Sequence, residues 1–147
     1  MKELNTEAVL RSTRGWGAIG MERIRKLDPE SSYARIVTRH MRWRPPGQDD
    51  VDVATDTAAC VAVSDEALRQ LLQGLQDAAD ERNPSVSVEV GAADDEVVFA
   101  VERAHRPGRF QVELYIHSLG LNMEFVLPSD TTCLDTFRRQ LAGAFRL

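Results

Sequence analysis

The chain predicts a single α+β domain over residues 1–147, built as an antiparallel sheet of about five to six strands with two main helices packed on it. The expected order is ββαββββα, following an irregular or short-helical N-terminal arm over 1–32 and occupying 33–147. Three observations carry this. Six segments alternate apolar and polar residues at the period of two that a half-buried strand needs. Two others carry apolar stripes at helical spacing. The last four strand-like segments are joined by connectors of a few residues, which suit antiparallel pairs because parallel pairs need long crossovers.

Within the arm, Asn5 or Thr6 is placed to cap a short helix through Ala8, Val9 and Leu10, ended by Gly15. Met21, Ile24 and Leu27 then recur every three residues in MERIRKL, a second short helix closed by Asp28-Pro29. From Tyr33 the period changes to two. In YARIVTRHMRW, Tyr33, Val37, Met41 and Trp43 share one parity, which predicts a strand that buries both rings and stops at Pro45-Pro46-Gly47. VDVATDTAACVAV (51–63) alternates again, with Val51, Val53, Val61 and Val63 on one face and Ala58, Cys60 and Ala62 on the other. Small residues on that second face predict a covering helix.

A helix follows at once. Ser64 is a good N-cap, and Asp65 and Glu66 sit in the first turn, where the helix dipole favours anions. Leu68, Leu71, Leu72, Leu75, Ala78 and Ala79 trace its apolar stripe up to Asn83-Pro84. Four strands come next: SVSVEV (85–90), EVVFAVE (96–102), RFQVELYIH (109–117) and NMEFVL (122–127). GAADD, AHRPG and SLGLN connect them. Pro128 is expected to break the ladder, and Thr131 or Thr132 to cap a closing helix with the stripe Leu134, Phe137, Leu141 and Phe145. No internal repeat is visible in the residues.

A composition of 43% hydrophobic and 28% charged residues is that of a globular chain and excludes wholesale disorder. No stretch approaches the ~20 apolar residues of a membrane helix, and MKELNTEAVLRSTRG lacks the apolar run of a secretory signal. With only Cys60 and Cys133, the chain lacks the staples of a small secreted domain. Both are expected as free thiols packed in the core of a cytoplasmic protein. The net charge of −5 is unevenly spread: residues 1–48 carry +5 and residues 49–147 carry −10. Such a split permits fast, salt-sensitive association with a charged partner.

Residues 15–20, GWGAIG, spell the dinucleotide fingerprint G-x-G-x-x-G. A central strand should precede it and an acidic residue should follow after ~20 positions. AVLRSTR is too polar for that strand, and TRHMRW contains no acid. The glycines are read as an irregular loop around Trp16.

The three histidines do not form a metal set. Glu113, Tyr115 and His117 share the polar face of strand 109–117 and make the candidate small-ligand or enzymatic pocket if something covers them. Cys133 at a helix start is where the dipole lowers a thiol pKa, but no base is placed beside it. No cofactor or metal motif occurs, and the reading leans towards a non-enzyme.

Two surfaces remain. Arg35, Arg39, His40, Arg42 and Arg44 interleave with Tyr33 and Trp43, a combination that suits single-stranded nucleic acid. Opposite in sign are Asp49, Asp50, Asp52 and Asp56, and then Asp94, Asp95 and Glu96, which suit a basic protein partner because carboxylates stand in for phosphates.

The stretch VSDEALRQLLQGLQDAAD, then VSVEV, VVFAVER and RFQVELYIHS, closing with TCLDTFRRQLAGAFRL, resembles the WapI-type bacterial immunity proteins over roughly residues 60–147. That resemblance implies a protein that neutralises a bacterial toxin by binding it, with no cofactor and no chemistry of its own. It supplies no signature residues, so the candidate contacts stay those of the acidic surface.

Overall fold

The computed structural model describes residues 7–13, 15, 17–40 and 55–147. Within these residues, eight strands and two helices follow one another in the order ββββαββββα. They are β1 (Glu7–Arg11), β2 (Gly17–Asp28), β3 (Ser31–His40), β4 (Thr55–Ser64), α1 (Asp65–Ala79), β5 (Ser85–Glu89), β6 (Glu96–Arg103), β7 (Arg109–Ser118), β8 (Leu121–Asp130) and α2 (Thr131–Phe145). The α+β class is as expected, but the single sheet of five to six strands is not. There are two four-stranded antiparallel meanders, β1-β2-β3-β4 and β5-β6-β7-β8, each followed by a 15-residue helix. The architecture therefore repeats where the residues show no repeat.

The strands missing from the sequence reading lie in its N-terminal arm. Residues 7–11 and 17–28 are extended rather than helical. MERIRKL shows helical spacing because β2 carries two bulges. Register skips between Arg23 and Arg25, and again between Lys26 and Asp28, leave Ile24 and Leu27 outside the ladder. Each bulge inserts one residue and stretches a period of two into an apparent three. Both unpaired side chains are exposed, at 47% and 42%.

The inner faces of both sheets and the stripes of both helices share one buried cluster. Ile19 and Met21 of β2, Ile36 of β3, and Val61 and Val63 of β4 meet Leu68, Leu71 and Leu75 of α1 and Phe137 and Leu141 of α2 there. Phe99 and Phe137 stack at 6.2 Å between ring centroids. Each such side chain contributes about 2–3 kcal/mol by leaving water. The helices cross over: α1 packs on β5 and β6 of the second sheet, and α2 packs on β1 of the first. The α1 contact is tight, since a Cβ added at Gly74 would lie 2.5 Å from Val86 Cγ1.

Caps set the helix starts. Ser64 accepts from the Ala67 amide at 3.3 Å as expected, whereas α2 is capped by Asp130, which accepts from the Cys133 amide at 2.9 Å, and not by Thr131 or Thr132. The end of α1 falls at Ala79, before Asn83-Pro84, with Glu81 in the left-handed region at φ 58°. Its start is pinned to the β2–β3 hairpin. The buried Asp65 carboxylate accepts from Lys26 Nζ and, at 3.1 Å, from Ser32 Oγ, and the Asp65 amide donates to Glu30 O at 2.9 Å.

Two face assignments are reversed. On β3 the core receives Ala34, Ile36 and Thr38, while Tyr33, Arg35, Val37 and Arg39 face outward. Both parities of this strand hold apolar residues, and the smaller set fits the space under the helices. On β4, Val61 and Val63 are inside as expected, but Ala58 and Cys60 are exposed and no helix among the described residues covers them, because α1 lies on the opposite, inner side. Cys60 is thus not a core thiol. Pro128 does not break β8 either. It lies within the strand opposite Gln111, and its carbonyl accepts from the Thr13 amide at 3.0 Å.

Candidate functional site

Alternation along β5–β8 separates an apolar inner face from a second face that looks outward. Phe110, Val112, Leu114 and Ile116 of β7 are buried, so Gln111, Glu113, Tyr115 and His117 share the other side, as the sequence predicts. Antiparallel register extends that face sideways. Ala100, Glu113 and Val126 form one row across β6, β7 and β8. Val98, Tyr115 and Glu124 form the next, with Glu89 beyond Val98 on β5. Glu96, His117 and Asn122 form a third, and Glu102, Gln111 and Pro128 a fourth.

Five glutamates, Glu89, Glu96, Glu102, Glu113 and Glu124, therefore surround a centre of Val98, Ala100, Tyr115 and Val126. Among the described residues none of the five forms an ion pair. Arg109 marks one border, at the end of β7 opposite Asp130. Glu89 is occupied with local backbone, accepting from the Val97 amide at 2.9 Å and the Gly91 amide at 3.2 Å. Glu113 accepts from Gln111 Nε2 at 3.2 Å. Diagonal neighbours on adjacent strands are about 7–8 Å apart, so Glu102 and Glu124 each repel Glu113 between them. In the centre Val126 is 47% exposed and Tyr115 is half-buried.

At one end of this face the β7–β8 turn lifts Leu119 fully into solvent. Gly120 supplies the φ of 75° that the turn requires. Asp94, His117, Leu121 and Asn122 border a depression of about 450 Å³ beside it.

The sequence-predicted acids divide. Asp94 and Glu96 are both exposed; Glu96 is one of the five glutamates and Asp94 adjoins them. Asp95 is instead part of the framework, accepting from the Ala62 amide at 2.8 Å and from Ser118 Oγ at 2.6 Å. Asp56 sits on β4 and accepts from Arg39 Nε at 3.1 Å. Asp49, Asp50 and Asp52 lie outside the described residues, as do Arg42, Arg44 and the two tryptophans. Sequence reasoning missed Glu89, Glu102 and Glu124, whose only signal is strand parity combined with register.

The outer face of the first sheet has mixed charge. Arg25 holds its guanidinium 5.5 Å from the centre of the Tyr33 ring. Arg35 approaches Glu22 at 3.9 Å, and Arg39 pairs with Asp56. Between these arginines lie the half-buried Val37 and the exposed Ala58 and Cys60, whereas Ala18 and Gly20 are buried and the Glu7 side chain lies over Gly20.

A cavity of about 310 Å³ opens between β1 and α2, lined by Val9, Arg11, Thr132, Cys133, Thr136 and Gln140 together with Glu7. Burial, followed by the neighbouring Asp130 carboxylate, pushes the Cys133 thiol up, opposite to what its place at a helix start predicts. It is a protonated, partly sheltered thiol and not an activated nucleophile. Among the described residues no group of three or more His, Cys, Asp or Glu is placed to hold a metal, and no helix is long and apolar enough to cross a membrane.

No protein-family profile and no curated protein matches the chain. Among solved structures it is similar to one described as crystal structures of Trypanosoma bruciei MRP1/MRP2, at 13% identity and a TM-score of 0.49, covering 95% of this chain and 82% of that one. At that score the likeness carries no inference about what this chain does.

Proposed function

We propose that the chain is a non-catalytic binding protein of the immunity or inhibitor type, which neutralises a cationic bacterial toxin domain by presenting the outer face of its second sheet. The observation that supports this most is the set of five glutamates, without cationic partners among the described residues, around a half-exposed apolar centre. An acidic ring steers a basic surface into contact and excludes alternatives of like sign. The centre then supplies the anchors that give an interface most of its energy, here Tyr115, Val98 and Val126 with Leu119 at the margin. Docking a cation there also relieves the repulsion among Glu102, Glu113 and Glu124. Asp94 extends the same field.

The test is stopped-flow association with a purified cationic bacterial toxin domain. Glu102→Gln, Glu113→Gln and Glu124→Gln combined should slow association about 10-fold or more at low salt. Unchanged association in the triple variant refutes the reading.

A second reading is a single-stranded nucleic-acid module on the first sheet. It is favoured by the outward placement of Tyr33, Arg35 and Arg39 with Arg11 and Arg25. It stands second because Glu22 and Asp56 already neutralise two of those arginines. Anisotropy with a labelled oligothymidylate separates the two readings. Binding that weakens with salt and disappears in Arg35→Ser/Arg39→Ser, with the glutamate variant intact, reverses the order.

A further inference from the structure

Each sheet has two edge strands, and an edge strand offers a row of unpaired amides and carbonyls that another chain can join. Among the described residues, the three edges other than β4 each carry a guard over part of their length. On β1 the Val9 amide donates to Gln140 Oε1 of α2 at 2.9 Å. β5 lies against α1, with Gly74 pressed on Val86. β8 carries Pro128, which has no amide hydrogen and whose carbonyl is taken by Thr13.

Among the described residues, β4 is guarded only near its end. The Ala62 amide donates to Asp95 Oδ2 at 2.8 Å, the Ala62 carbonyl accepts from the Ala92 amide at 2.9 Å, and the Ser64 amide donates to Val90 O at 2.9 Å. Hydrogen-bonding direction alternates along an antiparallel strand, so the backbone groups of Asp56, Ala58 and Cys60 point the same way as those of Ala62. β3 occupies the other side of β4, and the three residues are exposed. No proline, lysine or bulge blunts this stretch, and two of its three outward-directed residues are small.

We infer that β4 pairs with β4 of a second copy of this chain, antiparallel and centred on Ala58, so that two first sheets join into one of eight strands. The free stretch itself sets the register. A two-fold pair must match residue i to j and j to i. Centring on Ala58 sets Asp56 opposite Cys60 of the second copy. A shift towards Ser64 collides with the 91–95 turn seated on Ala62. Three residue pairs exchange about six N–H···O bonds.

Charge complements the geometry. Across the joint, one outer row reads Arg39, Asp56, then Cys60 and Arg35 of the second copy. Arg35 is 51% exposed and its contact with Glu22 is loose, at 3.9 Å. With only a thiol between them, its guanidinium reaches the Asp56 carboxylate of the other chain, twice per dimer. The apolar pair Val37 and Ala58 also continues across the axis. An interface of this kind is small, so the dimer is weak, with a dissociation constant of about 10–100 μM. It leaves the acidic face of the second sheet open.

The test combines sedimentation with amide hydrogen exchange on the whole chain at about 5 and about 500 μM, either side of that constant. The mass should rise from 16.4 kDa towards twice that value. The Ala58 and Cys60 amides should exchange about 10-fold more slowly at the higher concentration, while the Thr57 and Ala59 amides, bonded to β3, stay equally protected at both. Ala58→Lys places like charges opposite each other on the axis and should abolish the mass change with an unaltered circular dichroism spectrum. Cys60→Glu, which opposes Asp56, is a second variant should the first fail to fold. A monomer at the higher concentration, a dimer that survives both substitutions, or concentration-independent exchange at Ala58 and Cys60 overturns the inference.

Discussion

Replacing Asp65 with alanine withdraws one carboxylate that serves three structural purposes. It accepts from Lys26, it accepts from the fully buried Ser32 hydroxyl, and it places a negative charge in the first turn of α1. Lys26 is 41% exposed, so solvent screens that pair to about 1 kcal/mol. Stranding the Ser32 hydroxyl in the core costs about 1–2 kcal/mol. Loss of the dipole interaction adds about 0.5 kcal/mol. The expected destabilisation is about 3 kcal/mol in total, with the unmet hydroxyl as the largest part. For a domain of this size, with a urea dependence of about 2 kcal/mol per molar, the unfolding midpoint should fall by about 1.5 M. Adding Ser32→Ala to the Asp65→Ala background should recover about 1 kcal/mol, because no donor is then left unsatisfied. Lys26→Met alone should cost no more than about 1 kcal/mol. An Asp65→Ala midpoint within about 0.3 M of the parent, or a Lys26→Met cost equal to that of Asp65→Ala, refutes the account.

Gly74→Ala should destabilise by about 1–2 kcal/mol in the same titration despite the better helix propensity, since its Cβ would stand 2.5 Å from Val86 Cγ1; Val86→Ala in that background should restore part of the loss. A thiol-disulfide reagent at pH 8 should label Cys60 rapidly and Cys133 slowly, because Cys60 is exposed whereas burial raises the Cys133 pKa; equal rates contradict this placement. Hydrogen bonds from Ser31 and the Glu30 amide hold Asp28 below the usual carboxylate value of 3.8, and Arg138 and Arg139 hold Asp135 below it. The stability both contribute is present above 3.8 and is lost as the pH falls through their lowered folded-state values. Thermal unfolding followed below pH about 4 should therefore show a shallower acid dependence in Asp28→Asn/Asp135→Asn than in the parent, and a parallel profile counts against it.

How readily an element could be read from the residues follows the range of the forces that form it. α1 and its Ser64 cap are local, depending on contacts three and four residues apart, and were visible. β7 was equally plain, with four large apolar residues on one parity and four polar ones on the other. β3 was not, because Tyr33 and Val37 compete with Ala34 and Ile36, and only the space beneath the helices selects between them. β2 was concealed by its bulges, which arise from pairing with β3 and give MERIRKL an apparent period of three. The candidate site divides along the same line. Glu113, Tyr115 and His117 belong to one strand and were found together. Glu89, Glu102 and Glu124 join them only through register across three other strands.

By itself, then, the order of residues determined the α+β class, the positions of both helices and the last four strands, and an excess of acid in residues 49–147. Tertiary structure alone decided that there are two sheets, that the first presents arginines outward, that scattered glutamates form one face, and that β4 carries, among the described residues, an unguarded stretch. The reason is that periodicity encodes which side chains can share a surface, whereas which surface meets solvent is settled by packing among elements far apart in the chain.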